Sequence, residues 1–507
     1  MTSTETTAQP RPVSARLLAR NTLINLAGQG APLLIAFLAI PLLMKRLGVD
    51  RFGVLTLAWM VIGYFSLFDL GLSRAMTRQV AEANGTGDTA RIPSLVRTSL
   101  ILQVALGALA GVVLLGLAPV LAERILRVPP GMTEEARNVL GIMALSLPIM
   151  LASTVLRGVL EAGQRFDLIA LLQVPGNVLL FLVPLLGAYG GYGLPAIVLL
   201  LVLARLAIAV GFAVLSRRVF PILRGPAAFD GSLVRPLFSY GGWITVSNIA
   251  GPFLLYIDRF VIGAVLSVAA VSYYTAPYEV IVRLMVFPTS LIMVLFPAFS
   301  AMAAGDLEKV VRLYTRSMKY LFLVMGPLVM VLILFARSLL GWWLGPEFAG
   351  QSTLAFQILA AGMLLTPVQV SVSLLHAIGR PDVTAKFYLL ELCLYLPVVW
   401  LLVGRMGIAG AALAWSLRAL LDTILLLAAS RRMFDIGVRS AADNGLLQSL
   451  GVLGALGAVI AAIAAAGASL PVQAALAVLA LVLFAACSWR FALDRRDRDL
   501  LLPGRMR

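Results

Sequence analysis

The chain has 507 residues, of which 61% are hydrophobic and only 13% are charged, and its mean hydropathy is +0.97. This composition excludes a soluble globular protein, because about half of the residues of an ordinary soluble domain are apolar. The net charge of +16 does not indicate a nucleic-acid partner, since basic residues in the cytoplasmic loops of a membrane protein produce the same excess.

Apolar segments long enough to cross a bilayer as a helix, about 20 residues each, recur along the whole chain. We therefore predict an all-α, polytopic membrane protein with 14 spans and short loops. The predicted spans are, in chain order, 22–44, 52–72, 98–121, 138–160, 168–188, 194–215, 238–266, 273–299, 320–343, 353–376, 387–404, 410–430, 447–468 and 472–492.

The lysines and arginines predict the orientation of the chain in the membrane. With the N-terminus inside, the predicted cytoplasmic segments hold 28 basic residues and the opposite side holds 8. Basic residues are enriched on the cytoplasmic side of membrane proteins. Both termini are therefore expected in the cytoplasm, and "inner" and "outer" below refer to these predicted sides.

An internal repeat divides the chain into two similar parts. The segment LEAGQRFD at Leu160–Asp167 is repeated as LHAIGRPD at Leu375–Asp382, with Leu, Ala, Arg and Asp at a constant offset of 215 residues. Both parts begin inside, so the repeat is parallel, which is typical of transporters with a substrate site between two lobes. The predicted domains are a cytoplasmic N-terminal tail (1–21), an N-lobe of spans 1–6 (22–236), a C-lobe of spans 7–12 (237–432), and spans 13–14 with a basic cytoplasmic tail (433–507).

Four charged residues fall inside spans 7 and 8: Asp258, Arg259, Glu279 and Arg283. A charge in the hydrocarbon core is costly and is kept where it faces a partner, a cavity or a substrate path. The two spans are antiparallel neighbours with charges at matching depth, so these side chains can neutralise one another. Two interpretations stay open: an ion network that locks the spans, or a site where an arginine binds an anion and Asp258 or Glu279 couples transport to protons or sodium.

Two further arginines lie deep in spans that are equivalent by the repeat. Arg205 is ~16 Å into span 6 and Arg418 is ~12 Å into span 12, both counted from the outer end. Asp422 follows Arg418 by one helical turn and is a candidate partner and a third ion-coupling candidate, whereas Arg205 has no acid within a turn. An unpaired arginine near the bilayer centre costs ~2.5–3.5 kcal/mol on insertion scales. We predict that both arginines line a hydrated, anion-attracting cavity, the alternative being hydrogen bonds to helix carbonyls or to an acid on another span.

The positions of the other polar residues are explained without a role in transport. Asp69 and Arg74 flank the inner end of span 2 and are expected at the membrane interface. Glu391 lies about one turn inside span 11, from where its side chain can reach the interface. His376 has no partner at metal-ligand spacing, and the two cysteines are far apart in apolar segments. The sequence predicts neither a metal site nor a cofactor.

The segment LGVDRFGVLTLAWMVIGYFSLFDLGLSRAMTRQVAE at Leu47–Glu82 resembles the second-span region of polysaccharide repeat-unit flippases of the Wzx type. These flippases belong to the superfamily of multidrug, oligosaccharidyl-lipid and polysaccharide exporters. The matching residues, spread over nearly the whole chain up to about Arg432, are Leu47-Gly48, Phe52-Gly53, Asp69-Leu70-Gly71, Asp258, Ser272-Tyr273, Phe296-Pro297, Gly379-Arg380-Pro381 and Gly407–Ala412. Ser272 departs from the pattern, since the family often has Gly-Tyr there.

The resemblance implies a two-lobed helical bundle in the bacterial inner membrane, with a central cationic cavity. It implies that an undecaprenyl-pyrophosphate-linked oligosaccharide moves from the inner to the outer leaflet for O-antigen, exopolysaccharide or capsule biosynthesis. Membrane lipids, and a polysaccharide polymerase or glycosyltransferases of the same pathway, are the implied partners. Arginine binds a diphosphate well through its planar fork of donors, which agrees with Arg205, Arg418, Arg259 and Arg283 as substrate-binding candidates.

Two other functions are alternatives to the flippase. A multidrug/cation antiporter of the same superfamily would use buried carboxylates in a neutral or acidic cavity, whereas the deepest charge of the first half is Arg205. A membrane-embedded polysaccharide polymerase or acyltransferase would use a cluster of His, Asp or Glu beside a substantial outer loop. The longest outer loop, 122–137, has no such cluster. The sequence therefore favours a transporter of an anionic substrate over an enzyme.

Overall fold

A computed structural model describes residues 35–63, 69, 71–126, 128–225, 228–239, 242–302, 307–378, 380–434, 442–494 and 497–498. The predicted N-terminal tail (1–21) and the last residues of the predicted C-terminal tail (499–507) lie outside these ranges. Within them the secondary structure is helical. The α-helices are α1 35–47, α2 Val49–Gly63, α3 Leu72–Thr86, α4 Ile92–Val120, α5 Thr133–Ala162, α6 Phe166–Tyr189, α7 Leu194–Val219, α8 Val234–Ser239, α9 Gly242–Val265, α10 Val268–Val282, α11 Val286–Met302, α12 Leu307–Leu334, α13 Ala336–Leu344, α14 Pro346–Met363, α15 Val370–Ala377, α16 and α17 within Pro381–Phe434, α18 Leu446–Ala465 and α19 Leu470–Cys487.

The chain is an all-α, multi-pass membrane protein. In the part of the chain that the structure describes, eight helices are long and apolar enough to cross a bilayer, or nine if α14 and α15, which meet at a bend of 42°, form one span. These helices cover the predicted spans 3–6 and 9–14, with α16 and α17 counted as one helix of 53 residues. The total of 14 spans stays a prediction.

The helical segment Pro381–Phe434 is a hairpin. Gly407 interrupts it with φ 61° and ψ −141°, a conformation that glycine adopts without a steric penalty. The Arg418 and Glu391 side chains touch across this break at 3.2 Å, although a straight helix would separate residues 27 positions apart by ~40 Å. Helices α16 (381–406) and α17 (408–434) are therefore antiparallel neighbours, as expected for the predicted spans 11 and 12.

Small residues bring neighbouring helices close together, as is common in membranes. At Gly107 in α4, an added Cβ would lie 2.6 Å from the Cα of Pro148 in α5. One turn further along α4, a Cβ at Gly111 would lie 2.7 Å from the carbonyl oxygen of Ala144. The contact between α4 and α5, which holds the first part of the chain together, therefore depends on residues without a side chain.

The described buried apolar residues form five clusters, and the largest is shared by both predicted lobes. The shared core lies toward the outer ends and includes Leu43, Phe52 and Leu140 of the N-lobe and Tyr274, Phe356 and Trp415 of the C-lobe. A second core, toward the inner end, contains N-lobe residues, for example Leu72, Val155 and Leu233. Its one other member is Leu237, the first residue of the predicted C-lobe. A third inner core contains residues from 291 onward, for example Phe299, Tyr314 and Leu374. Among the described residues, the lobes thus share a core at the outer side and have separate cores at the inner side.

Candidate substrate and coupling site

The four charged residues of the predicted spans 7 and 8 form one ion network between α9 and α10. Glu279 accepts hydrogen bonds from both arginines, with its Oε1 3.3 Å from Arg259 Nη2 and its Oε2 3.0 Å from Arg283 Nη2. Asp258 Oδ1 accepts the backbone N–H of Arg259 at 2.8 Å and lies 4.0 Å from Arg259 Nη1. The predicted mutual contact of these residues is therefore present, with Asp258 and Arg259 fully buried and Arg283 partly exposed.

Tyrosines surround the buried end of this network. Tyr274 donates its hydroxyl to Asp258 Oδ2 at 2.6 Å. The guanidinium carbon of Arg259 lies 4.4 Å from the ring centroid of Tyr278 and 5.2 Å from that of Tyr256. An arginine that faces aromatic rings and acids in this way is neutralised and stabilised within the protein.

A second charged group lies between α16 and α17. Arg418 Nη1 is 3.2 Å from Glu391 Oε2, and the Glu391 side chain is completely buried. Asp422 lies beside Glu391 and accepts a hydrogen bond from the Gln369 amide. The expectation that Glu391 reaches the membrane interface is therefore wrong, because Glu391 turns inward and forms the ion pair with Arg418 that the sequence suggested for Asp422.

The two charged groups of the C-lobe are neighbours. Tyr278, which faces Arg259, also contacts the ring of Trp415 edge-on at 6.2 Å, and Trp415 lies one turn before Arg418 on α17. The combined set holds four acids and three arginines, with Glu391 as the member that sequence reasoning missed. Its only sequence signal was a carboxylate inside an apolar span, and the partner on a different helix could not be read from spacing.

Arg205 has a different environment. It lies in α7 at the spacing of the buried residues Leu201, Ala209 and Phe212, on the face that packs against the rest of the N-lobe. Its side chain is half-buried, and within the described ranges it has no hydrogen bond or ion pair. The desolvation of this charge is therefore not offset by a protein acid in that part of the chain.

Asp69 is the acid of the N-lobe with the most protein contacts among the described residues. Its Oδ1 accepts hydrogen bonds from the Ser73 hydroxyl at 2.5 Å, the Gln103 amide at 2.5 Å and the Thr154 hydroxyl at 3.4 Å. These partners lie on α3, α4 and α5. Asp69 thus ties three helices together with neutral donors, which the expected interfacial position did not anticipate.

An apolar cavity of about 240 Å³ lies beside Glu279 and Arg283, between α1, α10 and α13. Phe37 and Trp343 form part of its wall, and their rings stack with centroids 5.0 Å apart. No group of three or more His, Cys, Asp or Glu side chains that could hold a metal occurs in the described part of the chain.

The family model for polysaccharide biosynthesis proteins matches residues 42–352, which is more than half of the chain. The chain belongs to this family. A Shigella flexneri protein named "Putative O-antigen transporter" is 27% identical over 412 residues, covering 80% of this chain and 96% of that protein. The match confirms the resemblance to exporters of polysaccharide biosynthesis.

Solved structures of two transporter types have the same fold as this family member. The lipid II flippase MurJ in an inward closed conformation aligns with a TM-score of 0.73 at 14% identity, covering 92% of this chain and 99% of that chain. An inward-facing multidrug resistance transporter of the MATE family aligns with a TM-score of 0.69 at 16% identity, covering 79% and 94%. At these identities the similarity defines the architecture and leaves the substrate to be argued from the residues.

Proposed function

We propose that this protein is a flippase, and not an enzyme, that moves undecaprenyl-diphosphate-linked oligosaccharide repeat units across the bacterial inner membrane for cell-surface polysaccharide biosynthesis. The family match and the similarity to a named O-antigen transporter support this function. The observation that carries it is Arg205, a membrane-embedded arginine that has no acid partner in the described ranges.

A diphosphate supplies the negative charge that the described surroundings of Arg205 lack. Two phosphates present several acceptor oxygens, which the planar guanidinium fork binds with charge-assisted hydrogen bonds. The lipid tail can remain in the bilayer while the glycan crosses between the lobes. In this proposal Arg205 is the first anion site, and Arg418, Arg259 and Arg283 add positive charge when their acid partners move away or take up a proton.

The C-lobe acids are the proposed coupling groups. Asp258, Glu279 and Asp422 remain candidates for coupling transport to protons or sodium. Asp422 is favoured among them, because it lies beside Glu391 and accepts a hydrogen bond from a neutral donor, Gln369. Asp258 and Glu279, in contrast, contact arginines. Binding a cation at this pair would relieve the repulsion between two neighbouring carboxylates.

A multidrug/cation antiporter is the second candidate, and the four acids against three arginines in the buried charged set of α9, α10, α16 and α17 favour it. An antiporter would expel organic cations, whereas the flippase would carry an anionic glycolipid. Arg205 favours the flippase over the antiporter, because an arginine on the proposed transport path with no acid partner among the described residues would repel a cationic drug. Cytoplasmic termini and contacts with a polymerase or glycosyltransferases belong to the same flippase proposal.

The direct test is to delete the gene in its native host and measure lipid-linked repeat units in each leaflet. We expect repeat units to accumulate in the inner leaflet and surface polysaccharide to fall, with both restored by the wild-type gene. Normal surface polysaccharide without accumulation, in a strain that has no second flippase, would contradict the flippase function. Increased sensitivity to cationic drugs alone would favour the antiporter.

A further inference from the structure

Helices α2 and α10 join the two lobes at their outer ends. The Ser272 hydroxyl donates a hydrogen bond to the carbonyl oxygen of Val49 at 2.8 Å, across 223 residues of sequence. Ser272 is fully buried in this contact. A buried hydrogen bond between the lobes closes the outer ends against each other where these helices meet.

Gly53 allows the two helices to approach this closely. A Cβ added at Gly53 would lie 2.2 Å from the carbonyl oxygen of Val268 and 2.6 Å from its Cγ1. The first obstacle is backbone, which cannot turn away as a side chain does. Any larger residue at position 53 must therefore push α2 and α10 apart.

A second contact links the lobes nearby. The Trp343 indole N–H donates to the carbonyl oxygen of Phe37 at 2.6 Å. The apolar core that includes these regions is the one shared by both lobes, whereas the inner cores are separate among the described residues. The described contacts between the lobes are thus concentrated toward their outer side.

We propose that Val49, Gly53, Val268 and Ser272 form an outer seal that must open before a substrate can leave outward. The seal gives a role to Gly53 and Ser272, which belong to the sequence features Phe52-Gly53 and Ser272-Tyr273 and are not used by the substrate site. It is suited to repeated opening, since it consists of one hydrogen bond and one close backbone contact without an ion pair. The inference rests on the proposed movement of the two lobes and is independent of which substrate they carry.

A cysteine below the seal can report its opening. Thr275 lies on the same face of α10 as Val268 and Ser272, about one turn deeper, and is 4% exposed. In a background in which the exposed Cys393 and Cys487 are replaced by alanine, Thr275→Cys would be treated in intact cells with a membrane-impermeant maleimide from the outer side. Little labelling is expected while Gly53 is present.

Gly53→Val should raise the outside labelling of Thr275→Cys about tenfold. The valine side chain pushes α2 and α10 apart and so increases the population of the outward-open conformation. The matched control is Gly116→Val, since Gly116 lies in the apolar helix α4 and a Cβ there meets nothing within 4 Å. The control should label as the background does. Ser272→Ala, which removes the hydrogen bond without adding volume, should raise labelling by a smaller factor.

Labelling of Gly53→Val at the control level, with normal protein amounts, would overturn the seal, and so would labelling from the inner side alone. If Gly53→Val does not accumulate in the membrane, Ser272→Ala decides the matter, and unchanged labelling overturns the proposal. The readout uses no substrate. A seal that opens in a protein without flippase activity would therefore contradict the proposed function and leave this inference intact.

Discussion

Helices α7 and α17 occupy equivalent positions in the two predicted lobes, and each carries an arginine at nearly the same depth. Arg205 is ~16 Å from the start of α7 and Arg418 is ~15 Å from the start of α17. Arg418 forms an ion pair with the buried Glu391, whereas Arg205 has no ion pair in the described part of the chain. The same residue type at the same depth therefore has an acid partner in one lobe and none among the described residues of the other.

The difference comes from the preceding helix. In the C-lobe, α16 supplies Glu391, but α6 of the N-lobe has no acid after Asp167. At the repeat offset of 215, the position of Glu391 corresponds to Gly176, where an added Cβ would lie 2.6 Å from Ile208 of α7. The N-lobe thus uses this position for close helix packing, and among the described residues Arg205 has no acid partner.

The largest effect on folding is expected from Arg418→Ala. It leaves Glu391 buried without its counter-charge, which costs about 3–5 kcal/mol in measured cases. The amount of folded protein and its thermal unfolding midpoint in detergent should both fall. Replacing both residues, Arg418→Met with Glu391→Met, should recover most of the loss. Arg205→Ala is the control, and an equal loss of folded protein in Arg205→Ala would break the comparison.

An effect on coupling without a loss of folding is expected from Asp422→Asn. Asparagine keeps an acceptor for the Gln369 amide and removes one carboxylate from the pair with Glu391. If this pair couples transport to protons, acceleration of transport by a pH gradient should fall about tenfold, within the usual range of coupling between two sites. Transport in reconstituted vesicles with and without a gradient measures this ratio. An unchanged ratio in Asp422→Asn would exclude Asp422 as the coupling group.

The smallest effects are expected where the lobes are alike. Arg165 pairs with Asp167 at 2.7 Å, and their repeat counterparts Arg380 and Asp382 pair at 2.9 Å, with all but Asp382 well exposed. Exposed ion pairs contribute little and are screened by salt. Asp167→Asn and Asp382→Asn should each lower the unfolding midpoint by no more than about 2 °C, less at high salt. A large loss from only one of them would mean that the two loops have different roles.

Much of the architecture could be predicted from the sequence, because apolar runs of about 20 residues leave few alternatives to spanning helices. The ion network of Asp258, Arg259, Glu279 and Arg283 was also predictable, since these residues lie on two consecutive antiparallel spans. The total number of spans stays a prediction, as do the lobe bounds and the cytoplasmic termini.

The ion pair between Arg418 and Glu391 was not predicted, because Glu391 was expected to reach the membrane interface. Spacing along α17 suggested Asp422, but the hairpin at Gly407 brings Glu391 opposite Arg418 instead. The role of Gly53 was hidden for a different reason. The residue that makes a glycine necessary there, Val268, lies more than 200 positions away and is identified only when the helices are packed.

The proposed contact between Arg205 and the diphosphate of the substrate can be tested by the binding of synthetic undecaprenyl diphosphate that carries a short oligosaccharide. Affinity would be compared among the purified wild type, Arg205→Ala, Arg205→Lys and the control Arg217→Ala, which alters an exposed arginine on the same helix. Arg205→Ala should weaken binding about 10- to 100-fold, the loss of a hydrogen bond to a charged group. Arg205→Lys should lie between Arg205→Ala and the wild type, because it keeps the charge and loses the fork. Equal affinity of Arg205→Ala and the wild type, with both proteins folded, would contradict the proposed contact of Arg205 with the diphosphate.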